Sequence, residues 1–284
     1  MQSLPRLVIE PAVRRALEED LGLAGDITAD AVIPPDHHSS VVMAARKPGV
    51  VAGLDAAELA FTLVDPSIRL TRHAEDGSAI AAGDIIATVT GPSRALLTGE
   101  RTALNFLGHF SGIATVTAGV VKAVAGTGAA IVCTRKTTPG LRALEKYAVR
   151  AGGGGNHRFS LADAVLIKDN HIAIAGSIAT AIRRAKENAG HMVKIEVEVD
   201  TLAQLEEAMA EGVDAVLLDN MSPETLRRAV EIVAGRATTE ASGGITPETA
   251  GDVAKAGVDL ISIGWLTHSA PVLDIGLDYR DATG

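Results

Sequence analysis

Residues 193–200 read Val193-Lys194-Ile195-Glu196-Val197-Glu198-Val199-Asp200, a strict alternation of apolar and charged side chains. Successive side chains on a strand point to opposite faces, so one face is Ile and Val while the other carries Lys194, Glu196, Glu198 and Asp200. A strand sandwiched between the helix layers of a doubly wound sheet would be apolar on both faces. A barrel strand tolerates polar groups on its lumen side near the mouth, and an exposed edge strand is the plainer alternative.

Working outward, the same unit recurs. Strand-like runs at 129–134, 164–167, 193–199, 215–218, 238–241 and 260–263 alternate with helical patterns at 177–188, 202–210, 223–233 and 247–256. Ser222-Pro223 and Thr246-Pro247 read as an N-cap followed by proline at the first helical position. Repeated βα units at this spacing predict a parallel sheet. Several strands end on reactive residues: Arg135 and Lys136, Lys168, Glu198, Asp219, and Ser242-Gly243-Gly244. Active sites of (β/α) barrels occupy the C-terminal strand ends, which favours a barrel over an open sheet.

The first hundred residues lack this rhythm. A short amphipathic segment at 12–21 precedes β runs at 41–45, 50–51 and 85–89, separated by turn pairs such as Asp76-Gly77 and Gly83-Asp84. This predicts a small β-rich domain. Residues 75–91 are faintly similar to a biotinyl or lipoyl domain, but no lysine lies among them to serve as a swinging arm. After Pro92 and Ser93 a long helical pattern runs from 95 to about 123, broken near Gly108 and Gly112.

A chain of 284 residues accommodates a barrel with a smaller appendage. Aromatic residues make up only 2%, so aliphatic side chains must do most of the packing. The net charge of −9 argues against nonspecific nucleic-acid binding. From Arg135 to His171, however, seven Lys or Arg face three acids, a local balance of +4 that leaves −13 for the rest. Such an island suits a small polyanion, with a salt-bridged surface as the alternative. Apolar runs such as 123–132 contain Gly or Thr and fall short of a membrane span, and no secretory signal is read at the N-terminus. The single cysteine, Cys133, excludes an intramolecular disulfide and fits a reducing cytoplasmic setting. It reads as a small buried residue of its strand rather than a nucleophile.

Glycines after the last strands suggest a phosphate cradle. Backbone N–H groups there hold phosphates in many barrels, and Ser242, Gly243, Gly244, Gly264 and His268 are the candidates; tight loops are the alternative. Glu198 and Asp219 end successive strands and could share Mg2+ with a substrate phosphate, act as acid and base, or pair with Lys168 or Lys194. Gly152 to Gly155 lead into Asn156-His157-Arg158, a bendable loop carrying cations. Lys168 reads either as an anion-binding lysine or as a Schiff-base nucleophile.

Four consecutive segments sharpen this. Thr134-Arg135-Lys136-Thr137-Thr138-Pro139-Gly140-Leu141-Arg142, Glu145-Lys146-Tyr147-Ala148-Val149, Gly152-Gly153-Gly154 with Asn156-His157-Arg158, and Leu166-Ile167-Lys168-Asp169-Asn170-His171 resemble the central signature of quinolinate phosphoribosyltransferases. So do Glu196-Val197-Glu198-Val199-Asp200, Leu217-Leu218-Asp219-Asn220, Glu240-Ala241-Ser242-Gly243-Gly244-Ile245, Leu266-Thr267-His268-Ser269 and Leu273-Asp274-Ile275-Gly276-Leu277-Asp278, in the family's order. Nearer the N-terminus, Glu19-Asp20, Gly25-Asp26-Ile27-Thr28, Glu100-Arg101-Thr102-Ala103-Leu104-Asn105 and Ser111-Gly112-Ile113-Ala114-Thr115 also match. Ala241 and Phe159 are mild departures that remove no polar group.

The resemblance implies an incomplete α/β barrel joined to an N-terminal open β-sandwich domain, in a homodimer. Residues 1–113 would form the N-terminal domain, with 269–284 packing back on it, and 114–268 the barrel. It also implies that Arg101 reaches the neighbouring subunit's site and that Arg135, His157 and Arg158 grip the two carboxylates of quinolinate. Lys136 and Lys168 would meet quinolinate or pyrophosphate, Glu198 and Asp219 the ribose and Mg2+, and Ser242, Gly243, Gly244, Gly264 and His268 the 5-phosphate of phosphoribosyl pyrophosphate. The implied reaction yields nicotinate mononucleotide, CO2 and pyrophosphate.

Overall fold

A computed structural model describes residues 2–279. The expected segments 1–113 and 269–284 include Met1 and residues 280–284, which lie outside the described residues. From the N-terminus come α1 (Arg6–Leu21), α2 (Ile27–Val32), β1 (His38–Ala45), β2 (Gly49–Val50), α3 (Leu54–Val64), β3 (Arg69–Arg72), β4 (Ala79–Ile80) and β5 (Ile85–Pro92). Then follow α4 (Ser93–Ala123), β6 (Ala130–Val132), α5 (Arg142–Ala151), β7 (Val165–Ile167), α6 (Asp169–Ala175), α7 (Ile178–Asn188), β8 (Ile195–Val199) and α8 (Leu202–Glu211). The chain closes with β9 (Ala215–Asp219), α9 (Pro223–Val233), β10 (Thr238–Ser242), α10 (Pro247–Ala254), β11 (Leu260–Ser262), α11 (Trp265–His268) and β12 (Ile275–Tyr279).

The described residues form two compact units. The first comprises residues up to 118 together with 137–153 and those from 266 onward. Its main sheet is antiparallel in the order β12-β1-β5-β3, and β12 pairs with β1 from Val41↔Tyr279 to Ala45↔Ile275. The N-terminal region is β-rich as expected, and it adds a helix that the sequence reading did not place, α3 between β2 and β3. Leu54, Ala56, Ala57, Leu59, Ala60 and Phe61 are all buried on it, so tertiary packing holds an alanine-rich helix where β runs dominate the neighbouring pattern.

α4 also differs from the reading, since it runs unbroken for 31 residues. Gly108 and Gly112 serve close packing: a Cβ on Gly112 would lie 2.1 Å from the carbonyl oxygen of Pro271, and one on Gly108 2.9 Å from that of Leu273. The Leu273 N–H donates to the Gly108 carbonyl at 3.0 Å, tying the C-terminal segment to the helix. α4 is the helix among the described residues with the length and hydropathy to cross a bilayer, but 61% of that apolar window is buried in the protein, as befits a core helix.

The second unit, residues 119–136 and 154–265, holds a parallel six-stranded sheet in the order β6-β11-β10-β9-β8-β7. Helices α7 to α10 pack on it, and their starts follow local chemistry. Ser222 Oγ accepts from the Thr225 N–H, with Pro223 at the first position of α9, while Thr201 and Gln204 cap α8 reciprocally. The fold class is that of an incomplete (β/α) barrel with an N-terminal sheet unit, as the alternating run at β8 suggested. Lys194, one residue before that strand, is paired with Asp214 at 2.6 Å, whereas Glu196 and Glu198 turn inward.

Candidate active site

The parallel registers decide which strand-end residues share a face. Glu198 lies opposite Leu217, Leu217 opposite Glu240, and Asp219 opposite Ser242. Residues two apart on a strand point the same way, so Glu196, Glu198, Asp219, Glu240 and Ser242 occupy one side of the sheet. Lys168 follows β7 directly and continues the register to Glu198. Its ammonium makes a close ion pair with the Glu198 carboxylate. That contact engages the Lys168 amine in an ion pair, an electrostatic arrangement that suits anion binding rather than the imine chemistry left open for Lys168.

Two guanidinium groups converge in this unit. Arg158 is held below its ordinary pKa, first by burial and second by the charge of Arg135. An anion bound near both cations would relieve that repulsion, and each guanidinium offers a planar fork to a carboxylate. Lys136 also runs close to Gly264, where a Cβ would lie 2.8 Å from the lysine Cδ. A side chain at that position would force the lysine stem to shift.

The glycine loop is not simply bendable. Gly155 forms a parallel bridge with Val132, its N–H donating to the Ile131 carbonyl at 2.7 Å and its carbonyl accepting from the Cys133 N–H at 3.2 Å. Cys133 is buried, and its thiol donates to Asn156 Oδ1 at 3.3 Å. The loop therefore extends the free edge of β6, and Arg158 leaves it in a set direction, with Nη1 donating to the Ala164 carbonyl at 2.8 Å.

His157 connects the loop to the sheet interior. Its Nε2 lies 2.9 Å from Glu196 Oε2 and 3.6 Å from Glu240 Oε2, and its Nδ1 accepts the Arg158 N–H at 2.7 Å. The Glu240 carboxyl is pushed up to about 7 by burial and then by the neighbouring Glu196 charge, against smaller opposing effects of His157, Ser262 and Lys168. The sign for stability follows directly. A proton held by the fold at a pH where the unfolded chain has released it stabilises the fold, so this contribution is complete below the ordinary glutamate value and is lost as pH rises toward about 7. Glu240→Gln should therefore gain melting temperature over the parent as pH is raised from about 5 to about 8, by the equivalent of up to about 3 kcal/mol. Parallel pH profiles for the two proteins would contradict this.

At the turn after β10 Gly243 and Gly244 adopt φ of +96° and +59°. A Cβ on Gly243 would lie 2.1 Å from Asn220 Oδ1. Asn220 is itself left-handed at φ 53°, its N–H donates to the Ser242 carbonyl at 2.9 Å, and its amide donates to Asp219 Oδ2 at 2.6 Å. The turn and the Asp219 carboxylate are thus one hydrogen-bonded assembly. Ser242 and Gly264 complete the candidates in this unit, whereas Arg101, exposed on α4, and His268, exposed at the end of α11, belong to the first unit.

Glu196, Glu240 and Asn220 were not among the candidates read from sequence. Glu240 carried a usable signal, an acid inside a strand run otherwise free of charge. Glu196 shares a face with Glu198 by the two-residue period, and Asn220 follows the strand-end aspartate as a residue tolerant of positive φ.

Residues 26–111 match the N-terminal domain of quinolinate phosphoribosyl transferase, and residues 113–278 match its C-terminal domain. The chain is 46% identical over 260 residues to the probable nicotinate-nucleotide pyrophosphorylase (carboxylating) of Bacillus subtilis, spanning 92% of this chain and 89% of that protein. It is 48% identical over 271 residues to the nicotinate-nucleotide pyrophosphorylase (carboxylating) of Mycobacterium leprae, spanning 94% and 95%. The crystal structure of NadC from Streptococcus pyogenes superposes with a TM-score of 0.94 at 43% identity, over 99% of this chain and all of that one.

Proposed function

The chain belongs to the quinolinate phosphoribosyl transferase family, and from that membership we propose that it joins quinolinate to the phosphoribosyl group of 5-phosphoribosyl-1-pyrophosphate. The products are nicotinate mononucleotide, CO2 and pyrophosphate, a step of NAD synthesis. The observation that carries this reading is the set of cations and acids gathered in one unit, where Arg158 feels the charge of Arg135 and the strand ends present Lys168, Glu198, Asp219 and the Ser242-Gly243-Gly244 turn. Two adjacent guanidinium groups suit a dicarboxylate better than a monocarboxylate, which favours quinolinate over nicotinate as acceptor.

In the reaction the pyridine nitrogen attacks the anomeric carbon as pyrophosphate leaves, through an oxocarbenium-like transition state. The ring nitrogen becomes cationic and stabilises the electron pair left on the adjacent ring carbon when its carboxylate departs as CO2; a proton taken up at that carbon completes nicotinate mononucleotide, so decarboxylation follows transfer. No protein nucleophile is needed, and the protein's work is placement and charge stabilisation. Arg135, His157 and Arg158 orient the carboxylates, while Lys136 and Lys168 face quinolinate or the pyrophosphate end. Ser242, Gly243, Gly244 and Gly264 receive the 5-phosphate. Glu198 and Asp219, two carboxylates on adjacent strands, are a donor set fitted to Mg2+, which keeps part of its coordination for water and substrate phosphate. When bound, such an ion offsets charge on the departing pyrophosphate. The proposed assembly is a cytoplasmic homodimer in which Arg101 serves the partner's site, and the single, buried cysteine suits that reducing compartment.

The test mixes the purified protein with carboxyl-labelled quinolinate, phosphoribosyl pyrophosphate and Mg2+. Labelled CO2 should appear only when both substrates are present, and nicotinate should not replace quinolinate. Equal use of nicotinate, or inactivation by borohydride with a carbonyl substrate, would count against the assignment.

A further inference from the structure

The sheet interior holds three polar side chains for which the proposed chemistry leaves two without a task. Glu196 on β8 and Glu240 on β10 are 8% and 2% exposed, and His157 reaches both although β9 runs between their strands. Burying carboxylates is costly unless they are bonded, and apolar residues of similar volume would fill this space without that penalty. Two carboxylates buried at that cost point to a task beyond packing.

The three ligand-type atoms lie close enough together to hold a cation. The imidazole argues for a proton instead. The Arg158 amide carries its hydrogen at every accessible pH and donates it to Nδ1, so Nδ1 presents its lone pair there. The ring proton is then on Nε2, directed at Glu196 and near Glu240, whereas a metal at that position would need the Nε2 lone pair.

We infer that Glu196 and Glu240 are positioning residues that hold His157 as its Nε2-protonated form and, through the Arg158 amide, set the direction of the Arg158 guanidinium. The inference rests on the reading of this site as a dicarboxylate site. A linked series of contacts supports it. The carboxylates hold one side of the ring, the ring holds the Arg158 main chain, and the guanidinium is steadied by the Ala164 carbonyl just before β7. On the far side the loop is tied to β6 through Gly155 and Asn156. Glu196 and Glu240 provide the tie to the interior strands, and it bears on the residues assigned to the carboxylates rather than on the phosphate turn.

The experiment compares the full-length parent with Glu196→Leu and Glu196→Gln. Glu196→Leu should raise the KM for quinolinate about tenfold or more, as expected for loss of a hydrogen bond to a charged group, with the KM for phosphoribosyl pyrophosphate nearly unchanged. Glu196→Gln still presents an acceptor and should recover most of the loss. Nitrogen-15 NMR of the substrate-free parent should show His157 with Nε2 protonated and Nδ1 bare, and Glu196→Leu should shift those resonances. An unchanged quinolinate KM in a folded Glu196→Leu protein, an equal rise for both substrates, or an Nδ1-protonated ring in the parent would overturn the inference. Failure of the parent to release CO2 would instead strike the functional reading, and the NMR measurement still decides the His157 arrangement without turnover.

Discussion

Arg135→Ala is expected to raise the KM for quinolinate strongly or to abolish turnover, while phosphoribosyl pyrophosphate binding stays close to that of the parent. The reason lies in the adjacency of Arg135 and Arg158, whose mutual repulsion in the substrate-free protein is one cause of the lowered pKa of Arg158. A dianion placed between them would convert that repulsion into two charge-assisted contacts, and truncating one partner of a buried charge pair costs roughly 2–5 kcal/mol. Expressed as kcat/KM for quinolinate, this is a loss of at least about 30-fold. Arg135→Lys should recover only part of it, because an ammonium keeps the charge but not the planar two-point geometry. Steady-state kinetics with each substrate varied in turn decides the matter, and near-normal constants for Arg135→Ala would refute the assigned role.

Gly243→Ala carries the second large effect, on the other substrate. At φ +96° an L-residue is strained, and its Cβ would collide with Asn220 Oδ1 at 2.1 Å and crowd the Asn220 nitrogen at 2.9 Å. Relief requires moving Asn220, which orients Asp219, so the substitution should disturb the phosphate turn and the strand-end carboxylate together. Strain of this kind is worth about 1–3 kcal/mol before the displaced contacts are counted, and kcat/KM for phosphoribosyl pyrophosphate should fall by about 100-fold. Gly244→Ala is the matched control, since its added Cβ meets nothing within 4 Å and only the φ of +59° is unfavourable. The ordering is the critical result: if Gly244→Ala were the more damaging, the Asn220 contact would not be what makes Gly243 necessary.

The parts of the fold legible in the sequence are those governed by local periodicity. The alternation at 193–200 became β8, proline after serine or threonine marked the starts of α9 and α10, and the strands placed at 215–218, 238–241 and 260–263 overlap β9, β10 and β11. Where the reading departs from the fold, tertiary packing is the cause. α3 is held by burial of Leu54, Ala56, Ala57, Leu59, Ala60 and Phe61, and α5, which the reading did not place, encloses even Glu145 and Lys146 although they stand at the spacing of a solvent-facing stripe. Gly108 and Gly112 read as helix breakers because only the segment at 271–273, far away in sequence, explains them.

By itself the sequence determined that the chain alternates strands and helices after residue 128, that cations and carboxylates end those strands, and that its motifs are those of the quinolinate phosphoribosyl transferase family. Tertiary structure decided that the glycine loop extends β6 and that His157 meets Glu196 and Glu240. It likewise decided that Asn220 joins the Ser242-Gly243-Gly244 turn to Asp219. The physical reason is range. Side-chain period and capping act over a few residues and leave a trace in the order of amino acids, whereas these contacts bring together groups well separated in sequence, 23 residues from Cys133 to Asn156 and 39 from His157 to Glu196, and exist only once strand register has placed them side by side.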